Sequence, residues 1–187
     1  MKWPSREEAF SLLTEFTENK NLIKHGLAVE AAMRSYADAF GEDRDKWGIA
    51  GLLHDFDYEK YPDPHEHPYK GAEILRQRGF APDELIEAIL GHGNHTGVAR
   101  TSTMAKALYA VDELTGLIIA VALVRPSKKI AEVSIKSVLK KWNNKMFARG
   151  VSREDIEHGA RDLDIPLEQH IENVLAAMQG ISQDLGL

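Results

Sequence analysis

The chain has 187 residues, 43% hydrophobic and 28% charged, with a formal net charge of −6, a balance that suits a folded domain with a sizeable core. The negative balance disfavours a general nucleic-acid binder, whose affinity comes from neutralising phosphates with a basic surface. There is no cysteine, which excludes disulfides, thiolate zinc sites, iron–sulfur clusters and cysteine nucleophiles.

Ser5-Arg6-Glu7-Glu8 reads as a capping box that opens a first helix, with Phe10, Leu13 and Phe16 inward. A second helix is expected from about Leu22 to Phe40, closed by Gly41. On it Leu22, His25, Val29, Met33, Tyr36 and Phe40 recur at three- and four-residue steps, so His25 points inward. A third helix starts near Asp43 to Asp45, carries Trp47, Ala50, Leu53 and His54 along one face, and breaks after Asp55. The segment from Asp57 to Glu66 is a polar loop with two prolines. His67-Pro68 opens a fourth helix that runs to Gly79. A fifth begins at Ala81-Pro82-Asp83 and carries Leu85, Ile89 and His92, ending in Gly91-His92-Gly93-Asn94-His95.

From Ser102 to Val124 the sequence predicts a long apolar helix whose stripe is Met104, Leu108, Val111, Thr115, Ile118 and Ala122, with Asp112 on its border. An acid there is costly to bury unless it is paired or bound to a metal. Arg125 to Lys129 ends this helix and starts another, with Ile135, Val138, Trp142 and Met146 inward. Ser152 caps a further helix, and Pro166 opens the last one, with Ile171, Val174, Met178 and Ile181 inward. No stretch alternates as a strand does, so the expected fold is all-α, a single-domain bundle of eight or nine helices over residues 1–187. Within it the metal-site core spans about 22–124 and the C-terminal helices 127–187.

The first residues lack the apolar core of a signal peptide. The longest apolar run, Leu117 to Val124, falls short of the about 20 residues that span a bilayer. A cytoplasmic protein with no membrane partner is the expectation. The final helix could serve a homodimer as readily as the core.

Five of the eight histidines fall between His54 and His95. His54-Asp55 sets a nitrogen donor beside an oxygen donor at the end of an apolar helix. With His25 and Asp112 it makes two imidazoles and two carboxylates, a set that suits Mn, Fe, Co, Ni, Zn or Mg. A histidine, then a His-Asp pair, then an aspartate, all on helices, resembles the HD-domain superfamily of metal-dependent phosphohydrolases. The resemblance covers about Leu22 to Val124. His67-Pro68-Tyr69-Lys70-Gly71, followed by His92 and His95, is similar to the branch of that superfamily that binds two metals and includes the HD-GYP phosphodiesterases. The GYP signature is absent, which argues against a cyclic dinucleotide substrate. The glutamate common in the single-metal branch is replaced here by Tyr58.

The resemblance implies that His25, His54, Asp55 and Asp112 hold one divalent ion, and that Asp55 bridges to a second held by His67, His92 and His95. It implies hydrolysis of a small phosphoester, a nucleotide among the candidates, by metal-activated water. Asp57 or Glu59 would relay a proton, and Lys70 would reach the phosphate. Arg125, Lys128 and Lys129 form a second candidate phosphate clamp. The same ligands also occur in di-iron oxygenases of this superfamily, and a non-catalytic metal-binding regulatory domain is the third reading.

Overall fold

The computed structural model describes residues 2–144 and 146–187. Among the described residues there are ten α-helices and no strand, as the apolar periodicity requires. They are α1 (Arg6–Phe16), α2 (Lys20–Phe40), α3 (Arg44–Leu53), α4 (Tyr69–Gln77), α5 (Asp83–Gly91), α6 (Thr103–Leu123), α7 (Ile135–Trp142), α8 (Arg153–Asp162), α9 (Leu167–Gln179) and α10 (Ser182–Leu185). Short 3-10 turns lie at Asn94–Thr96 and Ile130–Glu132.

The start signals act as the sequence suggests. Ser5 and Glu8 form a reciprocal capping box, and Asp43, Ser102 and Ser152 each accept a backbone N–H in the first turn of their helices. Gly41 closes α2 in the left-handed conformation. One expected boundary moves. No helix starts at Ser127; a 3-10 turn intervenes, and α7 begins at Ile135 behind a capping box made by Ser134 and Ser137. Met146, expected to face inward, lies beyond the end of α7 and is exposed.

The apolar helix α6 forms the centre, packed against α2, α5, α8 and α9, while α2 also lies along α3 and α9. Every residue of its predicted stripe, Met104, Leu108, Val111, Thr115, Ile118 and Ala122, is buried. The α2–α3 crossing is unusually close because Gly51 has no side chain: a Cβ there would meet the Val29 carbonyl oxygen at 2.8 Å and the Glu30 nitrogen at 2.9 Å. That approach brings His25 of α2 up to the C-terminal end of α3. Beside it the buried Glu30 carboxylate accepts from Arg6 of α1 (2.6 Å) and Arg34 of α2 (3.0 Å). Arg34 also reaches Asp45 of α3 (2.8 Å), so the charge is shared among three helices rather than left unpaired.

His170 of α9 ties the C-terminal helices to this centre. Its Nε2–H donates to the Ala110 carbonyl (2.8 Å), and its Nδ1 accepts from the Tyr36 hydroxyl (2.6 Å). Both nitrogens are used and the ring is fully buried, so burial pushes its pKa down to about 4. The neutral form is favoured in the fold, so this contribution to stability is complete above pH 6.5. It is lost as the pH falls toward 4, because the unfolded chain takes up the proton first. The shift corresponds to about 3 kcal/mol. Denaturant titrations at pH 7 and pH 4.5 are expected to show a smaller acid-induced loss of stability in His170→Gln than in the wild type. Equal losses would remove His170 as the acid-sensitive group.

Candidate metal centre

Four histidines and two aspartates converge where α2, α3, α5 and α6 meet the loop before α4. His54 and His92 occupy the same local position, the C-terminal cap of α3 and of α5. There each ring folds back to donate Nδ1–H to the carbonyl three residues earlier, Gly51 (2.7 Å) and Ile89 (2.6 Å). His67 donates Nδ1–H to Asp57 (2.9 Å). His25 sets Nδ1 against the hydroxyl of Thr115 (3.3 Å), whose proton goes to the Asp112 carbonyl (2.8 Å). All four rings thus have Nδ1 engaged, and all four present Nε2 inward.

The Nε2 atoms meet in pairs, His25 with His54 at 3.2 Å and His67 with His92 at 3.3 Å. With the Nδ1 protons placed as above, each pair in its neutral form sets lone pair against lone pair, an arrangement that calls for a cation, either a shared proton or a metal ion. Two ligands about 2.1 Å from a common ion, at tetrahedral or octahedral angles, lie about 3.0–3.4 Å apart. The geometry of these residues therefore fits divalent ions, and two groups could hold one each: His25, His54 and Asp55, and Asp55, His67 and His92.

The carboxylates complete the arrangement. Asp112 Oδ1 lies 3.0 Å from His25 Nε2 and 3.3 Å from His54 Nε2. Asp55 stands between the groups: Oδ2 faces His54 (3.5 Å) and His25 (3.8 Å), and Oδ1 faces His67 and His92 (both 3.2 Å). Burial disfavours both carboxylates, yet the adjoining imidazoles hold each well below the usual carboxylate range. Conversely, burial opposes charge on His67, but Asp55 and Asp57 raise its pKa to about 9, and the same contest raises His54 and His92.

Several predicted site residues fall elsewhere. Asp57 is fully buried and does not line the cavity; it accepts from His67 through Oδ1 and from the Gly71 N–H (2.8 Å) through Oδ2. A Cβ on Gly71 would lie 2.9 Å from the Asp57 carboxyl carbon, which accounts for glycine at this place. Asp57 thus stands behind His67 with both carboxylate oxygens engaged. Glu59 caps the start of α2, accepting from Glu18 N (2.8 Å) and Asn19 N (3.0 Å). Lys70 is exposed and paired with Glu73 on the outer face of α4. His95 is exposed, stacks on His67, and spends Nε2–H on the His67 carbonyl (2.9 Å), outside both groups. Arg125, Lys128 and Lys129 follow the end of α6, which lies roughly 16 Å along the axis from Asp112. Arg125 there faces Glu132.

A cavity of about 320 Å3 adjoins the centre, lined by His92 and Asp112 of the converging groups and by Asn94, His95, Tyr109, Glu113 and Asp155. Asp155 Oδ1 accepts from the Tyr109 hydroxyl (2.9 Å) and from Asn94 Nδ2 (3.1 Å). Arg100 lies over the Tyr109 ring at 3.7 Å and donates to Asn94 Oδ1 and the Gly91 carbonyl. Burial, with Asp112 adjacent, pushes Glu113 up to about 7, a shift that a bound cation would oppose. The sequence carried no spacing signal for these wall residues, since Asp155 comes from α8, far along the chain.

Two outcomes follow for metal binding. Asp57→Asn keeps the shape but weakens the acceptor for His67, and is expected to lower the affinity for Mn2+ about 10- to 100-fold. Unchanged affinity by calorimetry would remove Asp57 from the support of the site. Because His67 holds its proton to about pH 9 without metal, Mn2+ must displace it. Affinity should therefore rise from pH 6.5 to 9, with protons released on binding. Calorimetry in buffers of different ionisation enthalpy measures that release, and a value of zero at pH 7 would contradict the assigned protonation.

Among the described residues no helix is long and apolar enough to cross a membrane. Neither the curated proteins nor the solved structures contain a match to the chain. The family model of the HD domain matches residues 22–166, which takes in every residue of the converging groups and Asp155 on the cavity wall. On that match, with the helical architecture and the His/Asp clustering it spans, the chain belongs to the HD-domain superfamily.

Proposed function

We propose that the chain is a metal-dependent phosphohydrolase acting on a small phosphoester. The observation that carries this reading is the placement of Asp55, with one carboxylate oxygen toward each histidine pair. A shared carboxylate of this kind suits two ions acting on one phosphoryl group. His25, His54 and Asp112 would complete one position, and His67 with His92 the other.

Divalent ions, if held by these residues, would supply a bound water of lowered pKa and would neutralise charge developing on the phosphoryl oxygens. The residues of the chain do the positioning. Gly51, Ile89, Asp57 and Thr115 fix the four imidazole rings through Nδ1, so that every Nε2 stays available. Asp57 in turn is fixed by the Gly71 N–H. The cavity beside His92 and Asp112 leaves room for the alcohol half of a substrate.

Phosphate release from a panel of phosphomonoesters and nucleotides, with Mn, Co, Ni or Mg added, tests the reading. Release is expected with at least one metal, and Asp55→Ala should reduce it at least about a thousandfold. The double variant His67→Ala/His92→Ala should bind one metal equivalent fewer than the wild type. No release from any member of the panel by metal-loaded protein, or oxygen consumption that requires iron, would overturn the phosphohydrolase reading and favour the di-iron oxygenase chemistry found in the same superfamily.

A further inference from the structure

The cavity beside the metal centre is uneven in the hydrogen bonds it can still make. Its side-chain donors are already used, the His95 Nε2–H on the His67 carbonyl among them. Asn94 Nδ2 donates to Asp155 and to the Tyr109 oxygen, the Tyr109 hydroxyl donates to Asp155, and Arg100 donates to Asn94 and Gly91. Its acceptors are not. Both of these bonds to Asp155 fall on Oδ1, which leaves Oδ2 for a ligand, and Glu113 spends only Oε2, on the Ser152 N–H.

Charge follows the same pattern. Among the described residues no lysine or arginine pairs with Asp155; its partners are a phenol and an amide, which hold the carboxylate in place without neutralising it. Arg100, a cation that adjoins this network, has its guanidinium over the Tyr109 ring and donates to Asn94 and Gly91. A group that enters this cavity while its phosphate lies on the metal side meets a fixed negative wall. An additional anionic group there is repelled, and a donor carrying positive charge is attracted.

We infer that the alcohol half of the substrate carries an ammonium group, and that Asp155 is the residue that selects it. This rests on the phosphohydrolase reading for the position of the phosphate, and it narrows the substrate class away from nucleoside di- and triphosphates. Asp155 belongs to α8, so the C-terminal helices take part in specificity.

Three phosphomonoesters of similar size separate the outcomes: phosphoethanolamine (cationic), glycerol 3-phosphate (neutral) and 3-phosphoglycerate (anionic). Binding to Mn2+-loaded wild-type protein is measured by calorimetry, and turnover by phosphate release. The expected order in both is cationic, neutral, anionic, with about ten- to a hundredfold between the first and last. Asp155→Asn, checked for helicity by circular dichroism, should reduce that ratio to within about threefold, mainly through KM where turnover occurs. Equal affinities for the three esters, binding of none, or an unchanged ratio in Asp155→Asn would overturn the inference. The expected order in binding without any turnover would leave the inference standing and remove the phosphohydrolase reading instead. The wild-type order needs no variant, so a misfolded Asp155→Asn does not decide the matter.

Discussion

Four imidazole Nε2 atoms that face one another in pairs at 3.2–3.3 Å, with Asp55 between them, are the constraint on which the rest of the structure depends. Each ring offers Nε2 because its Nδ1 is committed elsewhere, to Gly51, Ile89, Asp57 and Thr115. A ring that lost its Nδ1 partner could turn over and present a proton where a lone pair is needed. The backbone is therefore arranged to hold tautomers. Two helices, α3 and α5, end so that a histidine at the cap reaches back to its own last turn, and a loop carries His67 onto a buried carboxylate.

Holding those rings close requires backbone contacts that side chains would prevent. Gly51 lets α3 lie against the backbone of α2, and Gly71 lets α4 lie against Asp57. In both places the missing Cβ is repaid by a hydrogen bond at the site, from His54 to the Gly51 carbonyl and from the Gly71 N–H to Asp57. The same glycines thus serve packing and ligand orientation. The long helix α6 supplies the rigid wall: its apolar stripe is buried, and Asp112 and Thr115 emerge toward His25 and His54.

The C-terminal helices are more than a covering for the core. His170 links α9 to α2 and α6 through two hydrogen bonds, and α8 sets Asp155 against Tyr109 and Asn94. The cavity wall is assembled from the turn after α5, the α6 helix that follows it, and α8, which comes from far along the chain. Its acceptor-rich character follows from how these segments satisfy one another, since the donors are consumed in joining them.

The helices, their caps and the inward face of α6 were legible in the sequence because they follow from local chemistry: three- and four-residue apolar spacing, capping side chains and glycine after a helix. His25, His54, His92 and Asp112 stand out for a related reason, because a polar residue on or beside an apolar face is conspicuous by its cost; His67, in a polar loop, was singled out only by the resemblance to the two-metal branch of the HD-domain superfamily. What a residue does when its neighbours come from elsewhere in the chain was not legible. Asp57 and Glu59 look equally suited to proton transfer in sequence; only the tertiary structure buries one behind His67 and places the other at the start of α2. Lys70 and Arg125 are cations near a motif in one dimension; in three, Lys70 pairs with Glu73 and Arg125 lies past the far end of α6, facing Glu132. The sequence by itself determined the helices, since they depend on short-range spacing and burial cost, and its resemblance to a known superfamily pointed to the groups that could bind metal. The pairing of nitrogens across Asp55, the acceptor-lined cavity and the position of Asp155 were decided by tertiary packing alone, because each depends on distances between helices that no local pattern encodes.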